Sequence, residues 1–280
     1  MSWNAQRYYD HFLQNAPSFT IDGTEYWVVE GDLLMNEDRL LAYCLRRADI
    51  ASGAKKDEGE GLIVHVTEQG QYVRWRKGMD ITYFIDRNSF TGANAEQNYD
   101  LVKRKITAAA EAWENVCNVN FVHLDGLDIA PGASTSDVVF VVKYVNHDEG
   151  DIVAAAFEPM EHDLEHGIDH LLVVRPHYFA LDPDHDYDQV GVLRHELGHI
   201  LGFRHEHYSK HAPTECEGEQ NIPDDILHGA VTEYDPTSVM HYLCGGNGSK
   251  ELTLSRSDMI AAQALYGIRE DKILYVPVLV

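Results

Sequence analysis

The sequence predicts an α/β fold, α+β in the way its elements are grouped, and three observations carry that expectation. Tyr99, Val102, Ile106, Ala109, Trp113 and Val116 recur at helical spacing, which makes one long amphipathic helix. Short apolar runs flank it, among them the unbroken VVFVV of 138–142, which suits a strand buried on both faces. A second helix follows, with Val190, Leu193, Leu197 and Leu201 in an apolar stripe and Asp186 and Asp188 near its N-terminus, where the helix dipole favours negative charge. Strand, long helix, strands, second helix is an α/β order.

Taken from the start, residues 1–50 read as a small separate unit: a short helix over 4–14, a strand over 26–30 and a helix over 36–47. Asn36 is the cap of that helix, and Leu40, Leu41, Cys44 and Leu45 are its apolar positions. Residues 51–61, ASGAKKDEGEG, have the composition of an exposed linker in which Lys55 and Lys56 are open to a protease. Stretches 62–66 and 71–75 around a Glu-Gln-Gly turn read as a hairpin. Next come a strand over 81–86, with Ile81, Tyr83 and Ile85 on one face, and Asn94 with Gln97 as a capping pair for the long helix. Further strands are expected over 118–123, 138–144, 152–157 and 170–174, and the alanines of IVAAAF suit a strand that something approaches closely. EHDLEHGIDH, 161–170, is either a second metal site or a charged loop in water, with solvation the expectation. Beyond the second helix the chain is mostly loop and ends on a helix over 257–266. No internal repeat is visible.

Composition narrows the function. With 280 residues, 44% of them hydrophobic, the chain is long enough to bury a sizeable core. A formal charge of −24 argues against nucleic acid and anionic membrane surfaces as partners. No apolar run is long enough to span a bilayer. The start, MSWNAQRYYDHFLQ, lacks the basic, apolar and small-residue regions of a signal peptide, which leaves the export route open. The four cysteines are too few for a disulfide scaffold. Cys216 and Cys244 both lie beyond the second helix, one after His205 and one after SVMHY, and are either bridged, as expected, or two buried thiols.

The chemistry concentrates in HELGHILGFRHE, 195–206. His195 and His199 stand four apart, so on a helix their imidazoles project one turn above the other and can grip one metal ion. Glu196 lies between them, within reach of a water in an open position of zinc, as a general base. Gly202 can turn the chain sharply enough for His205 to return as a third ligand. This pattern resembles the metzincin zinc endopeptidases and, within them, the astacin-like family. Glu206 directly after the third histidine is an astacin-type feature, and SVMHY, 238–242, is similar to the family's methionine turn and its tyrosine. The resemblance covers roughly residues 72–268 and is dense only at these motifs.

The resemblance implies a mixed twisted sheet with two long helices in an N-terminal lobe, a loop-rich C-terminal lobe with a terminal helix, and an N-terminal prosegment. The division is then a prosegment and linker over 1–60 and a catalytic domain over 61–280. It also implies one catalytic Zn2+ on His195, His199 and His205, with Met240 as an apolar floor beneath the ligands and Glu206 in a structural role. Tyr242 is a ligand at rest and an oxyanion donor in catalysis. Cys117 matches a family half-cystine, but its partner position reads Ile268, so a free buried thiol is expected. A polypeptide would bind as an extended strand along the sheet edge, to a monomeric and secreted enzyme. A zinc module without catalysis, or a hydrolase of another amide or ester, are the alternatives; the intact Glu196 speaks against the first.

Astacin-like precursors carry an F-x-G-D motif whose aspartate takes the place of the zinc-bound water. Here VEGD, 29–32, keeps Gly31 and Asp32 and has Val29 for the phenylalanine. Asp32 is therefore the expected latency ligand, a surface turn being the other reading. Cys44 is the rival, but AYCLRR lacks the motif of thiolate-capped precursors.

Overall fold

The structure is a computed structural model describing residues 4–51, 63–65, 71–147, 152–160, 170–209, 211–216 and 228–269. Helix α1 (Ala5–Asn15) starts where Asn4 Oδ1 accepts from the Arg7 amide at 2.9 Å. Strands β1 (Ser18–Ile21), β2 (Thr24–Val29) and β3 (Leu33–Asn36) form an antiparallel meander. The sequence reading catches only β2, because four-residue strands are too short to show a period. The signal for β1 is Asp22-Gly23, both at positive φ, as a two-residue hairpin turn requires. Asn36 caps α2 (Glu37–Ala51) as expected, its Oδ1 accepting from the Arg39 amide at 3.0 Å. Leu40 and Cys44 face inward, whereas Leu41 and Leu45 are exposed.

Strand β4 (Ile63–His65) pairs antiparallel with backbone at His228–Ala230. The turn of the expected hairpin lies outside the described residues, and 73–75 form no strand; Trp75 instead donates Nε1–H to the Ile200 carbonyl at 2.6 Å. Strand β5 (Asp80–Ile85) leads to the long helix α3 (Ala95–Glu114), which buries Tyr99, Val102, Ile106, Ala109 and Trp113 as the spacing predicts. The Asn94–Gln97 capping pair does not form. Asn94 sits at φ −105°, ψ 16°, away from the extended conformation that aims a cap side chain at the helix amides, and its side chain makes no cap hydrogen bond.

Strands β6 (Asn120–His123), β7 (Phe140–Tyr144), β8 (Ala154–Ala155) and β9 (Leu171–Val174) complete a sheet in the order β6-β5-β7-β9-β8, parallel except for the antiparallel edge strand β8. Short helix α4 (Pro176–Ala180) and helix α5 (Gln189–Ile200) follow, then β10 (His228–Ala230) and α6 (Arg256–Tyr266). A box of Ser255 and Asp258 caps α6. The mixed α/β architecture expected from the sequence is the one found. The strand expected over 152–157 shrinks to β8, and 161–169 lie outside the described residues.

One face of the sheet, with Ile81, Tyr83, Ile85, Phe140 and Val142, packs on α3 and α5. The other face, with Phe84, Val141, Leu171 and Val173, packs on Phe19, Ile21, Tyr26, Val28 and Leu34 of the N-terminal meander. Each such side chain contributes about 1.5–3 kcal/mol when fully buried. The N-terminal segment thus has a small core of its own, around Tyr8, Phe12, Leu40 and Tyr43, and shares a second with the large sheet. It also extends the sheet edge. Ala156 donates its amide to the Asp32 carbonyl at 3.0 Å and accepts from the Leu34 amide at 2.8 Å, a short parallel bridge. The small side chains of Ala154–Ala156 let that backbone come close.

Candidate metal centre

Helix α5 begins at Asp188, whose Oδ1 accepts from the Gly191 amide at 2.8 Å. Its C-terminal end is set by Gly202 at φ 93°, a conformation that costs an L-residue with a Cβ and turns the chain back so that His205 faces the helix. His195 donates Nδ1–H to the Val239 carbonyl at 2.7 Å and His199 donates Nδ1–H to the Phe203 carbonyl at 2.8 Å. These bonds fix the tautomer and leave both Nε2 lone pairs pointing inward. Met240 closes the floor: a Cβ on Gly198 would lie 2.5 Å from its Sδ, so glycine at this helix position makes room for the thioether.

The three Nε2 atoms converge, at 3.2 Å (195 to 199), 3.2 Å (199 to 205) and 3.3 Å (195 to 205). The Asp32 carboxylate completes the group, its oxygens 3.0–3.2 Å from the same nitrogens. Ligands about 2.0–2.1 Å from a tetrahedral zinc are about 3.3–3.4 Å apart, so the donor set fits that ion in spacing and in chemistry. Nitrogen lone pairs and a carboxylate do not face one another without a cation between them. Cys216, His241 and Cys244 also lie close together, but the two sulfurs are joined in a disulfide. The expected bridge is therefore present, and Cys44 and Cys117 are buried free thiols.

Burial acts to raise the pKa of Asp32, but His205 and His199 beside it outweigh this and hold it well below the ordinary carboxylate value. Glu196 goes the other way. Burial and then the charge of Asp32 push its carboxyl well above the ordinary value, and Oε2 has no hydrogen-bond partner among the described residues. The Tyr242 hydroxyl donates to Asp32 Oδ2. Glu206 is buried, accepts from the Asp235 amide at 2.6 Å through Oε1, and gives its own amide to the Met240 carbonyl at 2.9 Å. It ties the third-histidine segment to the methionine loop, and burial pushes its carboxyl up to about 8. All six residues singled out in the sequence, Asp32, His195, Glu196, His199, His205 and Tyr242, meet around one point. A cavity of about 820 Å³ beside them is lined by the N-terminal segment, Glu30 and Asp32 included, on one side and by Ala154, Val192, His195, Glu196 and Tyr242 on the other.

Residues 74–214, just over half of the chain, match the family described as matrixin. The chain belongs to the matrixin family. Residues 186–266 of this matrixin also match the family described as dual-action HEIGH metallo-peptidase, whose signature its HELGH nearly spells. It is a metzincin zinc metalloendopeptidase, and its family implies the metal that the histidine cluster can hold. Two solved structures of myroilysin are similar to it at 16% and 17% identity, covering 70% and 76% of this chain and 97% and 93% of theirs, with TM-scores of 0.46 and 0.43. High choriolytic enzyme 1, a hatching enzyme zinc-protease from Oryzias latipes, is similar at 18% identity, over 74% of this chain and all of that one (100%), with a TM-score of 0.42. Comparison with curated protein sequences found no match.

Sequence reasoning passes over a second group of charged residues. Glu30, Arg39, Arg47, Glu158 and Arg204 are all buried. The signal available was Arg39, Tyr43 and Arg47 at helical spacing on α2, and an arginine inside an otherwise apolar and histidine-bearing motif.

Proposed function

We propose that this matrixin is a latent, astacin-like endopeptidase in which His195, His199 and His205 hold one catalytic zinc ion and Asp32 of a prosegment, residues 1–60, blocks it. The observation that carries the reading is the convergence of three Nε2 atoms and the Asp32 carboxylate at ligand spacing. Bound zinc supplies a Lewis acid and a water whose pKa falls from about 15.7 to roughly 7. Glu196 takes the water's proton and passes it to the leaving amine nitrogen. Glu196 lines the cavity and its buried Oε2 has no hydrogen-bond partner among the described residues, which supports that role over a purely structural one. Tyr242, once released from Asp32, donates its hydroxyl to the oxyanion of the attacked peptide. The polypeptide lies along the edge strand at Ala154–Ala156, taking the backbone partners that Asp32 and Leu34 use in the intact chain.

In the intact chain Asp32 stands at ligand spacing from the three histidines and engages the Tyr242 hydroxyl, so it would block the metal's open position and the oxyanion donor together. Cleavage between about residues 50 and 75 and loss of the prosegment activate the enzyme. The Cys216–Cys244 bridge supports a secreted protein, since disulfides persist in oxidising compartments. The test is hydrolysis of an unfolded protein by linker-cleaved enzyme. Activity should vanish with a chelator and return with zinc, and Glu196→Ala should keep stoichiometric zinc without turnover. Full proteolysis by metal-free protein or by that variant refutes the reading.

A further inference from the structure

The charged group behind the metal centre joins the N-terminal segment to the rest of the chain. Glu30 is buried, and its Oε1 accepts from Arg204 Nη2, next in sequence to His205, and from the Tyr43 hydroxyl. Arg47 donates to the Tyr43 oxygen at 2.6 Å and stands 3.7 Å from the same Glu30 oxygen. Arg204 has a second acidic neighbour, Glu158, 3.7 Å from its Nε and just beyond the edge strand. Arg39 crosses the boundary too. It donates to the Glu158 carbonyl at 2.5 Å and to His170 Nε2 at 3.2 Å, while His170 gives Nδ1–H to the Val139 carbonyl at 3.2 Å.

The backbone of Glu30 adds an independent observation. Its φ is 55°, in the left-handed region where glycine or asparagine is the ordinary choice and glutamate pays a steric penalty. Glycine follows at 31, so nothing about the turn itself asks for glutamate at 30. A disfavoured backbone conformation persists where the surroundings over-determine it, and here they do so through the buried carboxylate. Backbone pairing around Ala156 amounts to two hydrogen bonds, which specify register weakly, and a one-residue slip would carry Asp32 away from the histidines.

We infer that Arg204, Glu158 and His170, which meet Glu30 and Arg39, form a docking surface for residues 30–47 whose Glu30–Arg204 pair holds the N-terminal segment in register independently of any metal. Removing one partner of a buried ion pair is far more damaging than lacking both, because the other charge loses its compensation. The inference rests on the proposed function only in naming residues 1–60 a detachable prosegment.

The experiment is a full-length chain carrying an introduced protease site within residues 52–60, cut and then held in chelator. Retention of the N-terminal fragment by the remainder is measured by size exclusion and by its dissociation constant. The wild-type fragment should stay bound without metal. Glu30→Gly, which relieves the left-handed residue and leaves the larger fragment unaltered, should weaken binding by about a hundredfold or more. Arg204→Met should weaken it comparably, and the double variant little further. Circular dichroism of the larger fragment establishes that Arg204→Met folds, and where it does not, Glu30→Gly alone decides. Fragment binding by Glu30→Gly as tight as wild type, or tighter, makes Glu30 a turn residue and overturns the inference. Release of the wild-type fragment by chelator alone overturns it as well, since the metal ligand would then be the whole latch. An intact chain that proves fully active refutes latency and leaves the docking measurement standing.

Discussion

Gly31→Ala separates latency from catalysis. Gly31 has φ 94°, and a Cβ there would lie 2.9 Å from the Tyr242 hydroxyl oxygen and 3.2 Å from its Cε2. The left-handed backbone costs an alanine about 1–2 kcal/mol, and crowding into a packed site costs about 1–3 kcal/mol more. The sum, about 2–5 kcal/mol, falls on the docked state alone, because the turn relaxes once it opens. At about 1.4 kcal/mol per factor of ten, opening becomes about thirtyfold to several thousandfold more frequent. Basal activity of the intact chain should rise by that factor, up to the level of the processed enzyme. The assay is cleavage of a quenched fluorescent protein before and after linker cleavage. Residue 31 lies in the proposed prosegment and would leave with it, so kcat/KM after processing should equal wild type. Unchanged basal activity, or a processed enzyme slower than wild type, refutes the reasoning.

Tyr242→Phe in the processed enzyme should bind zinc normally and lose about a hundredfold to a thousandfold in kcat; an unchanged kcat with a raised KM would mean the tyrosine only shapes the groove. Asp32→Ala should leak activity from the uncleaved chain, whereas Cys44→Ala should not, because burial pushes the Cys44 thiol up to about 12 and keeps it from being a thiolate. Equal leakage from both variants contradicts the assignment. Asp128→Asn should cost about 1–3 kcal/mol near neutrality. Burial opposes the Asp128 charge, but bonds from His123 (2.9 Å), the Tyr99 hydroxyl (2.5 Å) and the Ile85 amide (2.8 Å) hold its pKa below the ordinary value. A depressed folded-state pKa stabilises fully above the unfolded value of about 3.9 and is lost as pH falls through the folded one. The gap between wild type and variant in urea unfolding should therefore be constant above about pH 5 and shrink below pH 4; a gap unchanged at pH 3 would exclude this carboxylate as its source.

Short-range features are the ones the sequence by itself determines. The spacing of His195, Glu196, His199, Gly202 and His205 prescribes a helix, a turn and a return, since each step involves a few residues and one dihedral requirement. The period of α3 and the apolar run of β7 are likewise local, because side-chain periodicity states which face is buried before any partner is known. Asp32 is singled out only by the resemblance of VEGD to a family motif, since Gly-Asp alone is common in turns, and the structure puts its carboxylate 3.0 Å from His205.

Tertiary structure alone decides what the buried faces meet. Nothing in the spacing of Phe19, Ile21, Tyr26 and Val28 says that they cover the second face of the large sheet, for an alternating strand fits any apolar partner. The pairing of β4 with β10, residues over 150 positions apart, has no local signature. Glu30 and Arg204 look like ordinary surface charges in a chain of net charge −24, because a charge has no periodicity to betray its burial. Only when the chain closes on itself does the solvent leave, and it is that exclusion of water that turns two common residues 174 positions apart into one buried ion pair.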